Sequence, residues 1–334
     1  MKLITQPDEG IQPLITAVKR AKRRINIVIF RFDLDDLEDA LAAAVKRGVE
    51  VVALIANTNS GGEQSLRKLE QRMLKKGITV NRTDEDMVRY HGKVLIVDRR
   101  QAFILGFNYT DQDVESRSFG VVVKSTRVVK DLLRLFDSDA CRTDYTPRVG
   151  DLVISPESAR SRLYRFLRKT RTTLDIYDPK VADDEMLALL EKKAARGVRI
   201  RIIGGLEKKW AKAGFEVQKL RGLRLHVRAI VRDGRRAFIG RRLEARHSRR
   251  QIPLSTRARL LLLLNGSDAV QLNRRPSRPP RRPWRPRWRS PQRRGPAHAA
   301  AFRSGAPRPR SPQGGAAEHH SRRRDRGDAA SSQA

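Results

Sequence analysis

The chain has 334 residues, with 72 basic against 37 acidic side chains and a formal net charge of +35, an excess that favours polyanionic partners, nucleic acid or anionic lipid head groups. A single cysteine, Cys141, excludes an intrachain disulfide and a cysteine-built zinc site. No run reaches the roughly 18 apolar residues that a membrane-spanning helix needs, and the opening MKLITQPDEGIQPLI carries acidic residues where a secretory signal has its apolar run. The expected location is cytoplasmic, with peripheral contact to a membrane left open.

From Pro13 the text reads helix, strand, helix, strand: PLITAVKRAKRR, INIVIFRF, DLEDALAAAVKRG and VEVVALIA. The second helix ends in basic residues and a Gly before an apolar strand, the expected last turn and stop. A third helix, GEQSLRKLEQRMLKKG, leads to the strand ITVNRT. Then comes RYHGKVLIVDRRQAFILGFN, from Arg89 to Asn108. Val94, Leu95, Ile96 and Val97 read as a strand buried on both faces, DRRQ as the turn and AFILG as the returning strand of a hairpin. Alternate residues of a strand share a face, so His91 and Lys93 point the same way. A titratable nucleophile beside a fixed cation is an anion-handling pair. The alternation predicts an α/β lobe over residues 1–148, a sheet flanked by helices.

The same order returns over residues 149–240. SARSRLYRFLRKTR is a helix, TTLDIYDP a strand, DDEMLALLEKKAARG a helix and VRIRIIGG a strand. LHVRAIVRDGRRAFIG, residues 225–240, then matches YHGKVLIVDRRQAFILG, residues 90–106. His91 and Asp98 are seven apart, as are His226 and Asp233, and each pair is followed by AFILG or AFIG. Of six histidines, the two that precede residue 241 are these two. The pattern is an internal duplication, giving two pseudo-symmetric lobes, the second truncated at 240.

After Gly240 the composition breaks. Residues 241–334 hold 24 Arg, no Lys and 5 acidic residues, a net of +19, against +16 for residues 1–240. The stretch RRPSRPPRRPWRPRWRSPQRRGPAHAA has no apolar core, and residues 241–334 are expected to be a disordered basic tail. Two origins fit: a genuine tail that contacts nucleic acid or anionic membrane, or a GC-rich gene read out of frame.

A phosphodiester resists hydrolysis because its anionic oxygens repel nucleophiles. One His can attack phosphorus to form a phosphohistidine while a second protonates the leaving alcohol and later activates water. Cations such as Lys93 would hold the non-bridging oxygens and stabilise the added charge of the transition state. The scheme needs no metal and no cofactor.

At these residues the chain resembles the phospholipase D superfamily, whose signature is His-x-Lys, four residues, Asp, then a Gly-x-x-Asn-like segment, present twice. HGKVLIVD followed by GFN fits the first copy; HVRAIVRD followed by FIGRR fits His and Asp of the second, with Arg for Lys. The resemblance covers residues 10–240. It implies two fused α/β lobes with one site at their interface, and hence a phosphoric diester hydrolase that needs no oligomer to complete it. His91 would be the nucleophile, or His226 with the roles exchanged. Lys93, Arg228 and Asn108 would contact the phosphate, and Asp98 and Asp233 would support the catalytic set structurally. The family orients each His with a later acidic residue, for which Asp113 and Glu115 are the candidates. Three departures mark the second copy: Arg228 replaces Lys, Arg241 and Arg242 follow Gly240, and the closing strands and helix are expected to be missing. A phospholipid head group is the default substrate. The alternatives are a nucleic-acid diester cut by an endonuclease of the same superfamily, and an inactive binding module for nucleic acid or anionic membrane.

Overall fold

The computed structural model describes residues 2–59, 61–85, 90–148, 150, 152–153 and 159–240, and the backbone of 261–265. The first lobe begins with β1 (Lys2–Gln6) and runs through α1 (Gln12–Arg20), β2 (Arg24–Ile29), α2 (Asp35–Lys46), β3 (Glu50–Ile55), α3 (Gly62–Lys75) and β4 (Thr79–Arg82). The hairpin β5 (Val94–Val97) and β6 (Gln101–Leu105), the short helix α4 (Asp111–Val114), β7 (Ser118–Val123) and α5 (Thr126–Ala140) complete it. The seven strands lie in the order β1-β7-β6-β5-β2-β3-β4. β2, β3 and β4 are parallel, as helical crossovers require, and the rest pair antiparallel.

The helices form where apolar residues recur at helical spacing and the ends are capped by charge. In α2, Asp35, Asp36 and Glu38 occupy the first turn and Lys46 the last, each sign where the helix dipole favours it. α1, α2 and α3 bury Leu14, Leu37, Leu41, Leu66 and Met73 against one face of the sheet. A fully buried Leu of this kind contributes about 1.5–3 kcal/mol.

The second lobe contains β8 (Leu152–Val153), α6 (Ala159–Arg168), β9 (Thr173–Val181), α7 (Asp184–Ala194), β10 (Arg199–Leu206), β11 (Glu216–Gln218), β12 (Arg228–Arg232), β13 (Arg236–Gly240) and β14 (Leu261–Asn265). Its order, β11-β10-β9-β12-β13-β14-β8, is the first sheet's order read from the opposite edge. Strand for strand, β9 repeats β2, β12 and β13 repeat the β5–β6 hairpin, and β14 stands where β7 does. A single 3-10 turn, Lys208–Trp210, occupies the place of α3. The second face of the first sheet packs with α5 and with Val227, Ala229, Val231, Ala237 and Ile239 of the second lobe in one shared core. The lobes meet there.

Two expectations are corrected. The second sheet does not end at Gly240, because Leu261–Asn265, inside the expected tail, pairs with both β13 and β8. The match of AFIG to AFILG by their glycines is off by one. Arg228 faces Gly240 across the hairpin, while Leu105 N–H donates to the Lys93 carbonyl, so Gly240 corresponds to Leu105 and Arg241 to Gly106. The rest of the expected tail, including Arg241 and Arg242, lies outside the described residues. The described residues all belong to one compact unit. Among the described residues no helix is long and apolar enough to cross a membrane.

Candidate active site

His91 and Lys93 lie just before β5 rather than within it, with Lys93 extending the ladder through the Leu105 hydrogen bond. Both are buried. The Lys93 Nζ touches His91 Nδ1, stands 3.2 Å from Nε2 and donates to the His91 carbonyl at 2.9 Å. The His91 ring packs on Phe30, centroids 3.8 Å apart. Burial pushes the Lys93 ammonium well below the ordinary lysine range, and the Asp113 charge opposes that. The cavity beside them is lined by His91, Lys93 and Gly106 from the first lobe and by Ile239 and Gly240 from the second.

Asp113 joins the lobes. It sits in α4, 2% exposed, where the Thr110 carbonyl accepts the Asp113 and Val114 N–H groups. Its Oδ2 accepts the Asn108 backbone N–H at 2.8 Å and the Asn108 side-chain amide. Its Oδ1 accepts the Arg224 guanidinium and lies 3.1 Å from His226 Nδ1. Burial raises the Asp113 carboxyl, but His226, the Asn108 N–H and Arg224 outweigh it and hold the group well below the usual carboxylate range.

Backbone pairing delivers His226 to that carboxylate. Arg117 N–H donates to the Arg224 carbonyl at 2.8 Å, and His226 N–H donates to the Arg117 carbonyl at 3.0 Å. Arg117 and Leu225 thus form a parallel bridge between the lobes. The buried Ser118 hydroxyl adds a hydrogen bond to the His226 carbonyl at 3.2 Å.

The remaining expected residues divide. Arg228 stands at the start of β12, its Nε donating to Asp178 Oδ1 at 3.0 Å. Asn108 lines the cluster, but its amide donates to Asp113. Glu115 is exposed at the end of α4 and takes no part. Asp98 and Asp233, grouped with the catalytic residues on sequence, stand at the far ends of β5 and β12, five residues beyond Lys93 and Arg228. A strand rises about 3.3 Å per residue, so each lies on the order of 16 Å from its motif cation. Asp98 accepts the backbone N–H groups of Lys22, Arg23 and Arg24. Asp233 accepts those of Arg171, Thr172 and Thr173. Both adopt left-handed backbone, φ 51° in each, a conformation in which Asp is enriched. They fasten β2 and β9 to the hairpins, which is why the motif repeats them.

Sequence reasoning missed Arg224 and Asp178. Arg224 stands two residues before His226, and Asp178 ends the legible strand TTLDIYDP; nothing in their local sequence marks either. Among the described residues, no three His, Cys, Asp or Glu side chains cluster as a metal site.

Residues 14–140 match the family model described as cardiolipin synthase, PLD-like domain. The first lobe is a phospholipase D-like domain. The fold is similar to that of phosphatidylserine synthase from Haemophilus influenzae Rd KW20, with a TM-score of 0.60 at 11% identity, covering 81% of this chain and 83% of the synthase. It is also similar to polyphosphate kinase from Porphyromonas gingivalis, with a TM-score of 0.61 at 16% identity over 79% of this chain. The chain spans about half of that kinase, 47%. Nuc from Salmonella typhimurium, a phospholipase D family member, matches 41% of this chain and 91% of its own at 24% identity, with a TM-score of 0.37. No curated protein matches the sequence.

Proposed function

We propose that the protein is a phosphodiesterase of phospholipase D type that hydrolyses a phospholipid head-group diester through a phosphohistidine. The observation that carries the reading is the contact of Asp113, from one lobe, with His226 of the other, together with the charge of the same Asp113 acting on Lys93 of the His91–Lys93 pair. Phospholipid as the substrate class is supported by the name of the matching family model, whose subject is a lipid synthase.

His91 is the nucleophile in this reading. A ring nitrogen attacks phosphorus, the bond to the leaving alcohol breaks, and that oxygen takes a proton from His226. The Asp113 carboxylate at Nδ1 is the counter-charge that a protonated ring needs, as in other His–carboxylate pairs. Water then attacks phosphorus, His226 removes its proton, and the P–N bond breaks to release the phosphomonoester. Lys93 and Arg228 supply charge to the non-bridging oxygens. Burial disfavours charge on Lys93, and an arriving phosphate anion opposes that.

The test is hydrolysis of bis(4-nitrophenyl) phosphate in chelator by wild type, His91→Ala and His226→Ala, with alkali-quenched samples searched for phosphohistidine by phosphorus NMR. Turnover lost in both variants, with a phosphohistidine trapped on wild type, is the expected result. No turnover from folded protein would leave a binding module instead, and turnover that survives either substitution would end the two-histidine scheme.

A further inference from the structure

The internal repeat allows the two lobes to be compared within one molecule. β12 pairs with β9 so that Ala229 faces Tyr177, and one step further Arg228 stands opposite Asp178. β5 pairs with β2 so that Val94 faces Val28, and one step further Lys93 stands opposite Ile29. The lobes therefore differ at both members of one cross-strand pair. The first has Lys and a fully buried Ile; the second has Arg and Asp.

The Arg–Asp pair is built in. Asp178 Oδ1 accepts Arg228 Nε at 3.0 Å and also the Lys180 backbone N–H at 2.9 Å, as the Asp178-Pro179-Lys180 turn folds back on its own side chain. The next strand grips the same backbone. A Cβ at Gly204, φ 144°, would fall 1.7 Å from the Asp178 carbonyl oxygen, and one at Gly205 would fall 2.7 Å from that of Pro179. The first-lobe counterparts of these glycines are Ile55 and Ala56. Around Asp178 the second lobe has been altered on three strands at once.

An ammonium is a compact charge on a flexible stem that meets an anion from any direction. A guanidinium is a planar fork, and its orientation decides what it can bind. We propose that Asp178 is a positioning residue that adapts the phosphate site of the second lobe to arginine, fixing the plane of the Arg228 guanidinium by holding Nε. The proposal rests on the phosphodiesterase reading. It makes Arg228 a compensated replacement for the motif lysine, and it carries a sign. A carboxylate that only neutralised Arg228 would weaken phosphate binding, so its removal would help; one that orients the fork would be missed.

The experiment converts the second-lobe pair into the first-lobe pair. Wild type, Asp178→Ile, Arg228→Lys and the double variant are compared on bis(4-nitrophenyl) phosphate, with inorganic phosphate as competitor and thermal melts as the folding control. Asp178→Ile is expected to lower kcat/KM by about tenfold or more, within the roughly 10²-fold that a misplacement of about 1 Å can cost, and to weaken phosphate inhibition. The double variant is expected to exceed Asp178→Ile in kcat/KM, and Asp178→Asn, which keeps an acceptor for Nε, to stay near wild type. If Asp178→Ile fails to fold, Asp178→Ala takes its place. Tighter phosphate inhibition, an unchanged rate in Asp178→Ile or Asp178→Ala, or an equal loss when the Asp178 change is made on top of Arg228→Lys would overturn the proposal. Where wild type binds phosphate without turnover, the same comparisons are made on phosphate affinity. A wild type that neither turns over nor binds phosphate overturns the phosphodiesterase reading itself, and this inference with it.

Discussion

Asp113 concentrates what single residues contribute. Among the described residues it is the carboxylate in contact with both a histidine and an arginine of the other lobe. Asp113→Asn is expected to lower kcat by roughly 10²–10⁴, the range seen when a His-orienting carboxylate is neutralised, measured with the chromogenic diester. Its effect on stability has a definite pH window. The folded group titrates below its unfolded value, so its contribution is fully present above the unfolded carboxylate range, near 3.9, and is lost as pH falls through the lower folded value. The difference in unfolding free energy between wild type and Asp113→Asn should be flat at neutral pH and shrink only below about pH 4; a difference that fades near pH 6 would show a histidine controlling it. Asp98 and Asp233 act differently. Asp98→Asn or Asp233→Asn should each cost about 1–3 kcal/mol from charge-assisted backbone hydrogen bonds, read as a lower Tm, with the rate per folded molecule within about twofold.

The motif residues were legible because a duplication shows in the sequence: His, cation and Asp recur at fixed steps. The carboxylate that His226 meets was narrowed by resemblance to Asp113 or Glu115, and the local sequence did not choose between them. Asp113 and His226 are brought together by the Arg117–Leu225 bridge between lobes, and no periodicity within either segment encodes a contact over that separation.

At the scale of elements, helices and buried strands could be read from apolar period and Gly stops, as in AVKRGVEVVALI. β14 could not. LLLLN has no alternation to distinguish strand from helix, and it lies in an Arg-rich stretch without other apolar runs. β8 is too short to register, and the two hairpins pair in the same register, which sets Gly240 against Leu105. A Cβ at Gly106 would stand 2.8 Å from the Phe119 carbonyl oxygen, so β7 approaches β6 there over a glycine. β14 also sets a boundary that can be tested. A chain ending at residue 281 should keep the Tm of the full protein. One ending at residue 260 uncovers the edge of β13 and should melt lower and aggregate; equal melting of the two would show that β14 carries no load.

At the scale of the whole molecule, the sheets share one core and are also joined by Asp113 to Arg224 and His226, so stability and the candidate chemistry depend on the same interface. The positive charge is spread differently. About half of it lies in residues 241–334, apart from the histidines of the repeat, and a polyanion held mainly by that segment should be released by salt with little change in the rate on a small diester.

The bridge between Arg117 and Leu225 has a kinetic consequence. Because the chain passes only once from the first lobe to the second, over the stretch between Arg148 and Leu152, cutting it there turns an intramolecular arrangement into a second-order encounter. Two separately made halves, mixed, should give a rate that rises with the product of their concentrations and saturates once they associate, while either half alone stays silent. The covalent connection then has a measurable value: the concentration of one half at which the pair matches the intact chain, expected in the millimolar range for a short tether.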